Sequence, residues 1–397
     1  MDSREDSLLL PKSFVQNAQR RSTQWYSPKT WRIPFLLTVA ILVSLFAYIF
    51  FWEPNNMRES RMMIREKSTN PNGHNKDCSS KHFKNETLKT VMEFPFNGLF
   101  LQHGFSEFEA SDVVMVQGSS EAFVVFDNVF SIARLRRPQS HRASNTIASS
   151  PVRPQAPSSL LKWSGDTSGK SGFECIAYNE SAQVYLVVQE SISHDDGSER
   201  AVTYDVTFNE TTAVVGTRCV ADFAFSHSNK GFEGAIIVTT KQGTSLLVGL
   251  CEGNYCVGGK KGRKAGNGRL VVMKRVMQDG SCIYETVDVV NLPPEVAFED
   301  YSAIAIWDET TVAIASQQNS AIFIGKLDLD NGVKVTGERI VDFPRNDNCE
   351  IKYCNVEGIA FANENTIVSV SDSMKDDGRQ DFRCREKDES IDVFQLM

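Results

Sequence analysis

Residues 298–327 read FEDYSAIAIWDETTVAIASQQNSAIFIGKL. Three apolar runs, Tyr301–Trp307, Thr311–Ser316 and Ser320–Leu327, are separated by turn-forming residues at Asp308-Glu309 and at Gln317 to Asn319. Short runs rich in β-branched residues and broken by turn formers predict successive antiparallel strands. The dipeptide that opens the stretch, Phe298-Glu299, has counterparts at Phe108-Glu109, Phe173-Glu174, Phe232-Glu233 and Val356-Glu357, with the five glutamates about sixty residues apart. A fixed period of this length marks a repeat architecture in which each unit buries its faces against its neighbours. Three or four strands per repeat make one blade, so the chain from about Val91 to Met397 is predicted to be an all-β, five-bladed β-propeller.

Outward from the repeats, the composition is that of a globular chain long enough for a large core, with 41% hydrophobic and 23% charged residues among 397. The formal net charge of -8 provides no basic face and excludes a general case for nucleic acid. Residues 33–52 form an uncharged run of twenty (IPFLLTVAILVSLFAYIFFW). That length crosses a hydrocarbon layer as a single helix, and no small-residue cleavage site follows it. The expected organisation is a cytoplasmic tail at 1–32, a type II signal-anchor at 33–52, a luminal stalk at 53–90 and the propeller at 91–397. The serine-, proline- and arginine-rich stretch 138–172 is expected to be a disordered loop insertion.

All nine cysteines and the three sequons at Asn85, Asn179 and Asn209 follow the apolar run. This partition predicts a glycosylated, disulfide-bonded domain facing the lumen or the cell exterior, within the Golgi, endosome, vacuole or cell-surface membranes. An odd cysteine is left over, and Cys78 in the stalk is the candidate for a disulfide-linked dimer. Glu5-Asp6-Ser7-Leu8-Leu9-Leu10 has the spacing of an acidic dileucine sorting signal. Cys251, Cys256, Cys349 and Cys354 read as disulfide cysteines rather than zinc ligands, because no histidines accompany them, and their partners are left open by the sequence. The basic stretch Cys256–Arg269 (CVGGKKGRKAGNGR) lacks the register of a P-loop and reads as a solvated hairpin tip, with a phosphate cradle of backbone N–H groups as the alternative.

Aligned on the apolar run after each motif, the repeats place Ser111, Glu174, Glu233, Ser302 and Glu357 at one position of the innermost strand. Such positions form a ring round a propeller's central channel. Three carboxylates about 5 Å apart at an effective dielectric near 20 repel by about 3 kcal/mol per pair. Either their pKa values rise or a divalent cation sits among them, and hard oxygen donors with hydroxyls suit calcium. The alternative is that the glutamates punctuate strand starts and pair with backbone amides or arginines of the next blade.

The order Ser, Glu, Glu, Ser, Glu, with Glu109-Ala110-Ser111-Asp112-Val113 in the first repeat and Val356-Glu357-Gly358-Ile359-Ala360-Phe361 in the last, resembles the calcium-activated nucleotidase (apyrase) family. That resemblance implies a five-bladed propeller with axial calcium, and calcium-dependent hydrolysis of nucleoside diphosphates. Asp112 and Asp127 are then the candidate catalytic acids, activating water or linked to the metal. The family's third-blade H-E-S-x-x-W run and following arginine pair are missing, since Phe232 and Gly234 flank Glu233. Their absence supports a second reading, a catalytically inactive module that binds a glycan or a protein. A glycosidase using two ring carboxylates is a third reading without a signature of its own.

Overall fold

A computed structural model describes residues 85–136, 158–346, 351–373 and 387–397, apart from 101, 102, 104, 106, 120, 228, 229 and 331. The tail, the apolar run 33–52, Cys78, Cys349 and most of 138–172 lie outside these residues. Among the described residues no helix is long and apolar enough to cross a membrane.

The described chain opens with two short strands, β1 (Glu86–Thr87) and β2 (Lys89–Pro95), and a one-turn helix, α1 (Phe96–Phe100). Five antiparallel four-stranded meanders follow. The first is β3 (Ala110–Met115), β4 (Glu121–Phe126), β5 (Ser131–Arg136) and β6 (Ser159–Trp163). The second is β7 (Phe173–Asn179), β8 (Val184–Ser193), β9 (Glu199–Phe208) and β10 (Thr212–Phe225). The third is β11 (Phe232–Thr239), β12 (Ser245–Cys251), β13 (Arg269–Gln278) and β14 (Ser281–Asn291). The fourth is β15 (Ala303–Ile306), β16 (Thr311–Ser316), β17 (Ala321–Asp328) and β18 (Lys334–Asp342).

The last meander has only three strands from its own stretch of chain, β19 (Val356–Asn363), β20 (Thr366–Ser371) and β21 (Ser390–Gln395). Its outer strand is β2, paired antiparallel to β21, so the start of the described chain completes the sheet at its end. β1 and β2 begin inside the stretch read as stalk. β6 likewise arises within 138–172, where a disordered loop was expected. Its Ser-Leu-Leu-Lys-Trp sequence buries Leu160, Leu161 and Trp163, which the polar average of the surrounding stretch conceals.

The turns follow from local chemistry. In the fourth meander the Asp308 carboxylate accepts the Thr310 N–H at 2.7 Å, an Asx turn that reverses β15 into β16. Between β16 and β17 the Ser320 N–H closes on the Gln317 carbonyl, with Ser320 in the left-handed region at φ 49.

The core lies between meanders, not within them. Five buried apolar layers each join two consecutive meanders, for example Val248, Leu270 and Val272 of the third with Val312, Ile314 and Phe323 of the fourth. The layer between the fifth and the first, with Val368, Val370 and Ile391 against Val124, Phe126 and Ala133, closes the circle. The innermost strands are neighbours in the same cyclic order, β3 with β7, β7 with β11, β11 with β15, β15 with β19 and β19 with β3. A cycle of radially packed antiparallel sheets round a channel is a β-propeller. On the outside β10 pairs in parallel with β6 and β14, and a Cys219–Cys282 disulfide bonds β10 to β14.

Candidate functional site

Four of the five inner strands carry a β-bulge at the same place. The register slips between Ala110 and Asp112, Phe173 and Cys175, Phe232 and Gly234, and Val356 and Gly358. The residues left over are Ser111, Glu174, Glu233 and Glu357. In the fourth meander Ser302 immediately precedes Ala303, the first paired residue of β15, and donates its N–H to the Ala315 carbonyl at 3.0 Å. A bulge ends regular pairing and re-aims the side chain it carries. The structure therefore puts these five residues at equivalent positions of consecutive inner strands. Glu109 and Glu299 fall outside that set, their N–H groups donating to the side-chain oxygens of Asn128 and Asn319, and Glu299 is exposed.

Glu174, Glu233 and Glu357 keep a partial opening to solvent yet are enclosed by protein. Burial pushes all three carboxyls well above the usual carboxylate range, and surrounding acids add to the shift. After burial, Glu174 is raised by Asp127, Glu190 and Glu357, Glu233 by Glu252 and Glu174, and Glu357 by Glu233 and Asp372. Each ring glutamate is therefore raised by one other member of the ring.

A second tier of acids surrounds them. Phe126, Gln189, Cys251 and Ser371 are the residues opposite the start of each bulge, and the next residues are Asp127, Glu190, Glu252 and Asp372. Glu190 is pushed up to about 7, by burial first and then by Asp127 and Glu252, against Lys230 and Lys170. Lys230 forms an ion pair with Glu252 and draws Glu233 down. The fourth meander has Gln317 at this position, and its acid comes instead from Asp300, bonded by the Ser316 hydroxyl and by the Gln318 N–H at 3.2 Å. Burial raises Asp300 to about 6. The repeat reading named only Asp127 of this tier. The others were visible as the first acid after the second apolar run of three repeats.

Asp112 sits one residue beyond the ring and is 1% exposed. Its Oδ2 accepts the Ile176 N–H at 2.9 Å and its Oδ1 the Val113 N–H at 2.8 Å, so both oxygens are engaged by backbone amides. The same position recurs as a contact to the next inner strand. The Cys175 thiol donates to the Phe232 carbonyl at 3.0 Å, and Cys175 is the one free cysteine among the described residues. Gly234 and Gly358 allow backbones to touch: a Cβ at Gly234 would lie 2.6 Å from Ile304 N, and one at Gly358 2.6 Å from Asp112 Cα. Cys251 pairs with Cys256, and Cys354 is also disulfide-bonded.

Among the described residues no group of three or more His, Cys, Asp or Glu side chains converges closely enough to hold a metal ion, the three ring glutamates included. The ring position carries three carboxylates and two hydroxyls, all hard oxygen. One of those hydroxyls has nothing to do: Ser302 is 1% exposed and its Oγ has no hydrogen-bond partner. The other, Ser111 Oγ, makes only a long contact of 3.5 Å to the Glu109 carbonyl. Buried polar groups are normally bonded, so an orphaned hydroxyl at the strand position that carries glutamates in three other meanders is compatible with a cation. Farther along the same strands lies a cavity of about 520 Å³ of mixed lining, with Ile176, Ile237, Ile304 and Phe361 beside the polar Gln117 and Glu180.

No family model and no curated protein matches the chain. Solved structures similar to it include the PQQ-bound aldose sugar dehydrogenase of Streptomyces coelicolor, at 13% identity over 78% of this chain and 98% of that one, with a TM-score of 0.39. The calcium-binding regucalcin of Agrobacterium tumefaciens matches at 10% identity over 78% and 95%, TM-score 0.35. A streptogramin B lyase matches at 9% over 80% and 100%, TM-score 0.36. Likeness at this level says nothing about chemistry.

Proposed function

We propose that the chain is a five-bladed β-propeller held on the luminal or extracellular side of an endomembrane by residues 33–52, with calcium on its axis and hydrolytic activity toward nucleoside diphosphates. The observation that carries the axial site is the partnerless Ser302 hydroxyl at the ring position shared with three proton-retaining glutamates. Ser111, Glu174, Glu233, Ser302 and Glu357 would hold the ion, with waters completing a coordination shell that three separated carboxylates leave open. Bound there, calcium supplies positive charge that neutralises the ring and polarises a phosphoryl oxygen.

The chain's own part is to handle the proton of the attacking water. Asp127 and Glu190 raise the pKa values of neighbouring ring and second-tier acids, and Glu190, at about 7, has the proton affinity of a general base at neutral pH. Asp127 is the acid assigned to orient the water. Asp112 acts through the strands it fastens. Exposed Asn85 and Asn209 suit glycosylation in the lumen, and Cys78 remains the candidate for an interchain bridge.

A second reading, a catalytically silent binding propeller, is favoured by two features. Asp112 has both oxygens committed to backbone amides, and the third repeat lacks the nucleotidase motif. Phosphate release from UDP and GDP by the full chain, in calcium and in chelator, separates the two. Calcium-dependent release lost in Asp127→Asn supports the hydrolase; no release by folded protein leaves the binding module.

A further inference from the structure

The segment between β12 and β13 carries a charge pattern that the axial site does not explain. β12 ends at Cys251, opposite Phe232 and beside ring residue Glu233, so residues 252–268 project from the acidic mouth of the channel. This loop is rigidly built. Asn254 is fully buried and serves as its hub, its Nδ2 donating to the carbonyls of Gly262 at 2.9 Å, Glu299 at 3.0 Å and Phe298 at 3.2 Å. The Asn254 Oδ1 accepts the Asn267 N–H at 2.7 Å and the Tyr301 hydroxyl at 3.2 Å. The Cys251–Cys256 disulfide fastens the loop's start.

The backbone is also held in a costly shape. Tyr255 and Cys256 are consecutive left-handed non-glycine residues, at φ 61 and 55. At Gly262 a Cβ would lie 2.0 Å from the Val257 carbonyl oxygen. What this scaffold presents is cationic. Lys261 and Arg269 lie over the Tyr255 ring, each 5.1 Å from its centroid. Lys260, Arg263 and Lys264, spaced i, i+3 and i+4 round a single turn that includes helix α2 (Gly259–Gly262), are exposed and have no acidic partner among the described residues. Like charges at this spacing repel. A protein of net charge -8 nevertheless keeps them together on a fixed loop.

We propose that Lys260, Arg263 and Lys264 form an anion-recognition site for the diphosphate group of a ligand that enters the acidic mouth. A compact anion with several charges answers three unpaired cations on one turn, and the guanidinium of Arg263 can engage phosphate oxygens in pairs. Lys230 ties the loop to the channel acids: its Cε lies 3.2 Å from where a Cβ of Gly258 would stand, and its ammonium pairs with Glu252. The site rests on the nucleotidase reading only for what happens to the ligand afterwards, because the loop binds through its own charges without calcium.

The test is calorimetric titration of the full chain, in detergent, calcium-free and at low salt, with inorganic pyrophosphate and separately with UDP. Both should bind, and binding should weaken steeply with added salt. Lys260→Gln/Arg263→Gln/Lys264→Gln should weaken both at least tenfold with an unchanged melting curve, while Lys260→Arg/Arg263→Lys/Lys264→Arg should stay within about threefold of the parent. No pyrophosphate binding by the parent, or equal binding by the glutamine variant, overturns the site. Binding without phosphate release from UDP in calcium keeps this site and removes the hydrolase reading instead.

Discussion

Asp112 on the first inner strand accepts the backbone N–H of Ile176 on the second at 2.9 Å, so a buried side chain fastens two inner strands to each other. Its other oxygen takes the N–H of Val113 at 2.8 Å. Each oxygen of that carboxyl is thus held by a backbone amide, which fixes its position between the two strands. The motif E-x-S-D therefore combines two duties, a ring hydroxyl at Ser111 and a fastener at Asp112.

Asp112→Asn is expected to lower stability by about 2 kcal/mol, because its NH₂ group would face one of the two amide donors. Urea denaturation in calcium and in chelator should show the same loss. Unchanged stability with abolished phosphate release would return Asp112 to the chemistry.

The calcium-free protein should lose stability as pH rises. Glu190 at about 7, Asp300 at about 6 and the three ring glutamates retain protons in the folded state that the unfolded chain releases near pH 4 to 4.5. The folded form thus binds more protons between those limits, and each such group removes up to about 1.4 kcal/mol per pH unit across its window. Asp392, raised to about 7 mainly by burial, acts in the same direction. Glu93, lowered to about 2 by Tyr353, Lys387 and Lys352 against its burial, stabilises fully above about pH 4.5 and does not oppose the trend. If calcium binds the ring, it binds the ionised form, so its stabilising increment should grow from pH 5 to pH 8. A melting temperature that climbs over this range without calcium would contradict the raised carboxyls.

Ser302→Ala separates an idle hydroxyl from a ligand. Without calcium it should be neutral or stabilise by about 1 kcal/mol, since it removes a buried polar group that has no partner. With calcium it should lose part of the stabilisation seen in the parent. Equal destabilisation in both conditions, read from paired melting curves, would mean that the hydroxyl has a structural partner.

The repeat period and turn residues made the propeller legible, because each apolar run is one strand and every repeat repeats them in order. Aligning the repeats on the apolar run rather than on the preceding phenylalanine sets Ser111 and Ser302, not Glu109 and Glu299, level with Glu174, Glu233 and Glu357. Three features were hidden. β6 lies in a stretch whose average is polar, and its Leu160, Leu161 and Trp163 are too few to shift that average. β2 completes the last meander from the other end of the chain, a pairing that no local pattern carries. The Asp112 amide contacts depend on the close approach of two inner strands, and only the Gly358 beside Asp112 hints at it.

The central claim is that the ring holds calcium in the folded state only, and the direct measurement is the stability of the full chain in calcium against chelator for the parent, Glu357→Gln and Glu299→Gln. At a hundred times its dissociation constant calcium should add about 2.7 kcal/mol to the parent. Glu357→Gln should lose most of that increment, whereas Glu299→Gln, exposed and off the ring, should keep it. Identical curves for the parent in calcium and chelator would contradict the axial site.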